Sequence, residues 1–250
     1  MIASAIRFLF WVLVFGAAGA LPVDADGNTN RATLRVCADP ANLPFTDHGG
    51  LGFENKIAEM LAGKLQVPVT YAWFPQTLGF IRNTLKAKKC DLILGAVADQ
   101  EPLQSTDPYY RSAYALIYRA DSDLSGVDRL NDPRLKARSI GIVAGTPPAT
   151  IMAANGLLAN SKSFPLAIDR RHNSPAERMV ADVAEGRLDA GILWGPIAGY
   201  YARRNGGGVT VVPLLREIEG PQMIFPITMG VRHGDAAWKE EVNALIARHK

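Results

Sequence analysis

The residues able to do chemistry are few and scattered along this 250-residue chain. It has two cysteines, Cys37 and Cys90, and four histidines, at 48, 172, 233 and 249. No histidine has a partner at ligand spacing, so each reads as a surface residue and no metal site is expected. No Gly-x-Ser-x-Gly, His-Glu-x-x-His or Walker-type loop occurs. Cys37 sits in an apolar run without an adjacent base, so no catalytic residue is expected either. Asp99 and Glu101 precede Pro102. Two acids fall short of the about six to eight oxygens a hard cation wants, and a solvated loop is the better reading. Gly206-Gly207-Gly208 leads into a strand, not a helix, and reads as a helix stop. The turn Gly145-Thr146 opens a helix whose free N–H groups suit an anion, although Pro147 and Pro148 remove two donors. The cysteines lack zinc-type doublets and are either one disulfide or two buried thiols. These residues point to binding rather than catalysis.

The elements that position them alternate between strand and helix. Strands are expected at 33–38, 67–74 and 91–97, and helices at 52–65 and 77–89, the second capped by Thr77. Asp91–Val97 (DLILGAV) is almost continuously apolar, as a parallel strand covered on both faces must be. In such a sheet the first strand lies between the second and third, which sets Cys37 beside Cys90. Tyr109–Arg119 is aromatic and β-prone. A second alternation follows, with strands at 139–144, 164–168, 190–193 and 209–215. Its helices lie from the Gly145 turn to about Leu158, at 174–186 and at 196–204. Ser174, Pro175 and Glu177 form the start signal of the middle helix. A strand at 225–231 and a helix at 235–250 with Trp238, Val242, Leu245 and Ile246 on one face close the chain. That helix meets no Gly cap at Lys250, as in a fragment. The pattern is α/β, with crossover units and parallel sheets.

Composition agrees with a globular protein: 48% hydrophobic, 20% charged, formal charge +3. Basic residues form no dense run, so nucleic-acid binding is not expected. Residues 1–20 read as a secretory signal, with Arg7 before the apolar run Phe8–Phe15 and small residues at Ala18-Gly19-Ala20. The run is shorter than the about 20 residues of a membrane span, and no second one follows. An exported chain without a membrane span is expected after cleavage, with 21–32 as a linker.

Leu43-Pro44-Phe45, Gly52-Phe53-Glu54, Asp107-Pro108-Tyr109-Tyr110 and Gly186-Arg187-Leu188-Asp189-Ala190 occur in an order that resembles type II periplasmic solute-binding proteins. Arg35–Pro40, Gly52–Ala58, Gly79–Leu85 and Pro108–Ser112 narrow the resemblance to the quinoprotein-dehydrogenase-associated MoxJ/XoxJ family. The resemblance implies a periplasmic location and two lobes, 33–112 with 226–250 and 120–213, around a hinge at 113–119 and 214–225. It also implies a partner, a PQQ-dependent methanol dehydrogenase, whose maturation or activation the chain would assist without being an enzyme. Amino-acid receptors of this fold clamp a zwitterion between an Arg and an Asp. Here Ala98–Pro102 has no Arg, and Trp194 stands in the place of the Asp. Candidate cleft residues are Asn42, Phe45, Trp73, Gln76, Phe80, Tyr109, Tyr110 and Arg111 from the first lobe. Thr146, Asn173 and Trp194 come from the second. An apolar cleft engaging a polypeptide segment is the expectation, with no cofactor of its own; PQQ would need several cations, of which Arg111 and Arg82 are candidates. The alternative is a transport receptor for a small uncharged or aromatic solute.

Overall fold

The computed structural model describes residues 31–166, 168–171 and 174–249. The leader 1–20, the linker up to residue 30, His172 and Asn173 lie outside the described residues.

Strand β1 (Leu34–Ala38) is followed by the short hairpin β2 (Ala41–Asn42) and β3 (Thr46–Asp47). Helix α1 (Phe53–Leu65) starts at Gly52, where an added Cβ would stand 2.0 Å from the Phe45 carbonyl oxygen. Only glycine fits that approach. The Asn55 side-chain oxygen then accepts from the N–H groups of Gly52 at 3.2 Å and Asp47 at 3.0 Å, tying the helix to the hairpin. Strand β4 (Val69–Trp73) leads to α2 (Phe80–Asn83), a single turn where the apolar pattern predicts a helix over 77–89. Gly79 at φ 92° and Lys88 at φ 57° are left-handed and interrupt it. Phe80 and Leu85 are drawn inward against the cysteines instead.

Strands β5 (Leu92–Val97), β6 (Gln104–Ser105) and β7 (Tyr110–Arg119) complete the first run. The second holds β8 (Ile140–Val143), α3 (Pro147–Ala154), β9 (Ser161–Phe164), α4 (Pro175–Ala184), β10 (Ala190–Trp194), α5 (Gly195–Arg204) and β11 (Val209–Pro213). Strand β9 lies earlier than the expected 164–168, ending before Pro165, which has no N–H to donate. Strand β12 (Ile224–Val231) and helix α6 (Ala236–Ala247) end the fold.

The strand order is β4-β1-β5-β12-β7-β10-β8-β9, with β6 beside β12 and β11 beside β7. Strands β4, β1 and β5 are parallel, as are β9, β8 and β10. The two long strands in the middle, β7 and β12, run antiparallel to their partners. Residues 110–113 of β7 pair with β12, whereas 114–119 pair with β10 and β11. One strand thus belongs to both halves of the sheet. In the β7–β12 ladder Pro226 faces Arg111 and brings no N–H of its own.

The first half is filled by Leu34, Val36, Leu92 and Met229 under α1 and the Trp238–Ile246 face of α6. Two clusters fill the second half, one around Leu116, Ile140 and Met152, the other around Ile117, Met179 and Val183. Cys37 and Cys90 are joined by a disulfide, with Cα atoms 5.3 Å apart. Beside it the carboxylate of Asp91 takes Arg35 in a two-pronged bond (both 2.7 Å), Arg232 at 2.7 Å and Arg31 at 3.3 Å. Burial opposes its ionisation, but the Arg35 and Arg232 hydrogen bonds outweigh that and hold the carboxyl below its usual range. Asp91→Asn is expected to cost about 2 kcal/mol, less than a fully enclosed pair because Arg35 is 43% exposed. The loss is present at pH 7 and vanishes as acid protonates Asp91, so urea unfolding at pH 7 and pH 3 checks it. An unchanged midpoint at pH 7 would refute it. No helix among the described residues is long and apolar enough to cross a membrane.

Candidate functional site

Parallel strands direct their carboxyl ends to one edge, and the loops there line the cleft between the halves. The loop after β4 contributes Gln76 and Leu78; Phe80, Arg82 and Lys86 follow; β5 and its loop add Ile93, Gly95, Pro102 and Leu103. From the other half come Leu166 and Arg170, in the loop after β9. Together they enclose about 580 Å³. A smaller pocket of about 80 Å³ shares Leu166 and Arg170 as its wall and is otherwise built from the second half, including Thr146 and Trp194. Among the described residues, no Asp or Glu lines either space.

A contact bridges the halves. Asp39, at the carboxyl end of β1, is buried and accepts from the N–H groups of Ala41 (2.8 Å) and Gln76 (2.7 Å). Its second oxygen also lies 3.6 Å from the Arg170 guanidinium. Arg170 Nη1 is itself buried and makes no hydrogen bond among the described residues.

Of the expected cleft residues, the structure brings Gln76 and Phe80 into the larger space and Thr146 and Trp194 into the smaller one. Asn42 donates to the Gln76 side chain at 2.8 Å and so supports the rim. The Thr146 hydroxyl donates to the Val143 carbonyl at 2.7 Å, which fixes the start of α3. Trp194 packs edge-on to Tyr114 (5.1 Å) and against Phe225 (5.9 Å), where the two middle strands meet.

Phe45, Tyr109 and Tyr110 form a separate ladder through Phe53, with centroid steps of 5.3, 6.0 and 4.9 Å. This ladder supports the cleft floor: the Tyr109 hydroxyl accepts from the Gly95 N–H at 3.0 Å. Trp73 stacks on Tyr71 at 4.6 Å and meets His48 at 4.4 Å, outside both spaces. Arg111 lies in neither; it lines a shallow apolar groove of about 400 Å³ with Pro196, Val211 and Leu215. Strand alternation sends Tyr110 and Arg111 to opposite faces, so the two could not share one wall.

Glu54 lies under the floor. Its Oε1 has no hydrogen-bond partner, and an added Cβ on Gly95 would meet it at 2.1 Å. Gly95, at φ 69°, makes room for the acid. Burial pushes the Glu54 carboxyl up to about 8, so it is mostly neutral at pH 7. Burial and then the neighbouring Glu54 also push up the phenols of Tyr109 and Tyr110.

Sequence reasoning missed Lys86, Leu78, Leu166, Glu54 and the Asp39–Arg170 bridge. The signal for the bridge was positional: both residues follow strands of a parallel set at their carboxyl ends.

The sequence model for bacterial extracellular solute-binding proteins, family 3, matches residues 34–250. The chain belongs to that family. It is 30% identical over 236 residues, 88% of this chain and 78% of the relative, to Protein MoxJ of Methylorubrum extorquens. Its fold overlays the crystal structure of periplasmic binding protein XoxJ from Methylobacterium extorquens AM1 with TM-score 0.72 and 42% identity, covering 86% of this chain and 90% of that one. MxaJ from Methlophaga aminisulfidivorans MPT shares the fold at TM-score 0.72 and 24% identity, over 86% and 93% of the two chains. The chain thus groups within its family with proteins named MoxJ and XoxJ, on the type II periplasmic-binding-protein fold. Family membership implies a periplasmic location.

Proposed function

We propose that this family member is a periplasmic, non-enzymatic accessory protein that binds a PQQ-dependent methanol dehydrogenase and assists its maturation or activation. The halves of the sheet act as lobes, 33–112 with 226–250 and 120–213, hinged at 113–119 and 214–225. The likeness to MoxJ and XoxJ proteins supports the partner. The observation that carries the reading is the cleft wall, where no carboxylate among the described residues faces either space. An amino acid entering it would strip water from its ammonium group and meet no counter-charge, a cost of several kcal/mol. Leu78, Leu166 and Trp194 instead offer surface to apolar side chains of a protein segment.

The test is titration of the secreted chain against a purified PQQ-dependent methanol dehydrogenase. Trp194→Ala is expected to weaken binding about tenfold or more, in the range of an interface hot spot. Trp194→Phe, which keeps the ring contacts to Tyr114 and Phe225, separates loss of contact from loss of fold. Equal affinity for Trp194→Ala and the parent removes the cleft from the reading. The second reading, a receptor for a small solute, is favoured by one observation: about 580 Å³ lies within the usual volume of small-molecule sites. Mass spectrometry of the protein as purified from a periplasmic extract decides it, since a tightly held solute without the dehydrogenase supports the receptor.

A further inference from the structure

We propose that the cleft selects an acidic protein segment, and that Arg170 exchanges its ion pair with Asp39 for one with a carboxylate of that segment. The inference rests on the accessory reading above and names the chemistry of the surface the partner must present. Three cations, Arg82, Lys86 and Arg170, line the same space as Phe80, Ile93 and Leu103. Arg82 and Lys86 are exposed and have no ion-pair partner among the described residues. The carboxylate nearest Arg170, Asp39, is only 2% exposed in its side chain and already accepts two backbone N–H groups. At 3.6 Å it holds Arg170 by charge alone, leaving buried Nη1 without a hydrogen bond. The Arg170 side chain is 20% exposed, and turning its guanidinium from Asp39 toward the space gives Nη1 the hydrogen bond it lacks, in the short, two-pronged geometry of an arginine–carboxylate pair. Glu54, the acid beneath the floor, is buried behind Gly95 and does not line the space.

The lips indicate a polypeptide. Leu78, on the first half, is 91% exposed, and Leu166, on the second, is 52% exposed. Exposed leucines on both rims of a cationic trough extend the contact beyond what a small anion could cover. The matching surface carries carboxylates at its centre and apolar side chains at its edges. Complementary charge of this kind sets selectivity and on-rate and makes binding salt-sensitive.

Two arms test this. In the first, tryptophan fluorescence follows the secreted chain with an acetylated, amidated decapeptide alternating Glu with Leu and Phe. The same peptide with Gln for Glu, and phthalate, serve as comparisons. The acidic peptide is expected to bind at least tenfold more tightly than the Gln peptide, and phthalate more weakly than either. Equal binding of both peptides overturns the charge rule; phthalate binding as tightly as the acidic peptide assigns the site to small anions and overturns the polypeptide. In the second arm, the dehydrogenase is titrated at 50 and 300 mM NaCl against the parent, Arg82→Glu/Lys86→Glu, and the remote control Arg203→Glu/Arg248→Glu. The cleft reversal is expected to weaken binding at least tenfold at low salt, the control less than threefold. Equal effects of the two reversals overturn the inference while the accessory reading stands. A dehydrogenase that binds none of the proteins fails the accessory reading, and the peptide arm still decides the charge rule.

Discussion

Glu54→Gln is expected to stabilise the protein at pH 8 by about 2 kcal/mol and to change little at pH 5. The Glu54 side chain lies beneath Gly95 with one oxygen unpartnered, and burial raises its carboxyl from 4.5 to about 8. Below pH 4.5 the acid is protonated in folded and unfolded chains alike, and no penalty arises. Between 4.5 and 8 the unfolded chain releases the proton while the folded one keeps it, so stability falls as pH rises. Above 8 both states are ionised and the penalty is constant. The full span from 4.5 to 8 corresponds to roughly 4–5 kcal/mol between the two protonation states, a ceiling that relaxation of the site reduces. Glutamine has the same shape, cannot ionise, and deletes the slope. Urea unfolding of both proteins at pH 5, 6.5 and 8 reads it. Parallel stability curves for parent and variant would show that Glu54 ionises freely in the fold.

Loss of the Cys37–Cys90 disulfide is expected to cost about 4 kcal/mol. The bond closes a loop of sequence separation 53, and chain-entropy arguments assign about 4 kcal/mol to a loop of that length. The cysteines are 3% and 0% exposed and pack with Phe80, Ile93 and Leu103, which line the cleft. Reduction therefore loosens the wall as well as the fold. Cys37→Ala/Cys90→Ala keeps the site apolar and isolates the cross-link. Its midpoint in urea should match that of the reduced parent and no longer respond to reductant. A double variant as stable as the oxidised parent would remove the cross-link from the stability of this fold.

Much of this architecture is legible in the chain. The apolar run at 92–97, the capped start at Ser174 and the Trp238–Ile246 stripe each declare an element, because burial imposes their patterns directly. The single turn at 80–83 does not announce itself, because Phe80 and Leu85 carry helical spacing but serve the core around the cysteines. The site divides the same way. Trp194 could be placed because a side chain ending a buried strand meets the cleft. Arg111 lines a separate groove, because strand alternation turns its neighbour Tyr110 to the opposite face of β7. The Asp39–Arg170 bridge spans 131 residues of chain, and neither local propensity nor periodicity carries a pairing of that range. Glu54 hides for another reason: in sequence it is an ordinary acid in a first turn, and only the missing Cβ of Gly95 turns it inward.

The shared strand limits how the protein can move. Because β7 passes unbroken from one half to the other and β12 runs alongside it, the halves are coupled by a two-ply leaf spring rather than a loose tether. Sliding or free swivelling would break several rungs at once, whereas flexing across the strands breaks none. The leaf is narrowest at residues 110–113 of β7, which pair with Ile224–Ile227 of β12. Phe225, on that stretch of β12, carries the ring that touches Trp194. A bend at that stretch would therefore carry the aromatic wall of the smaller pocket with it.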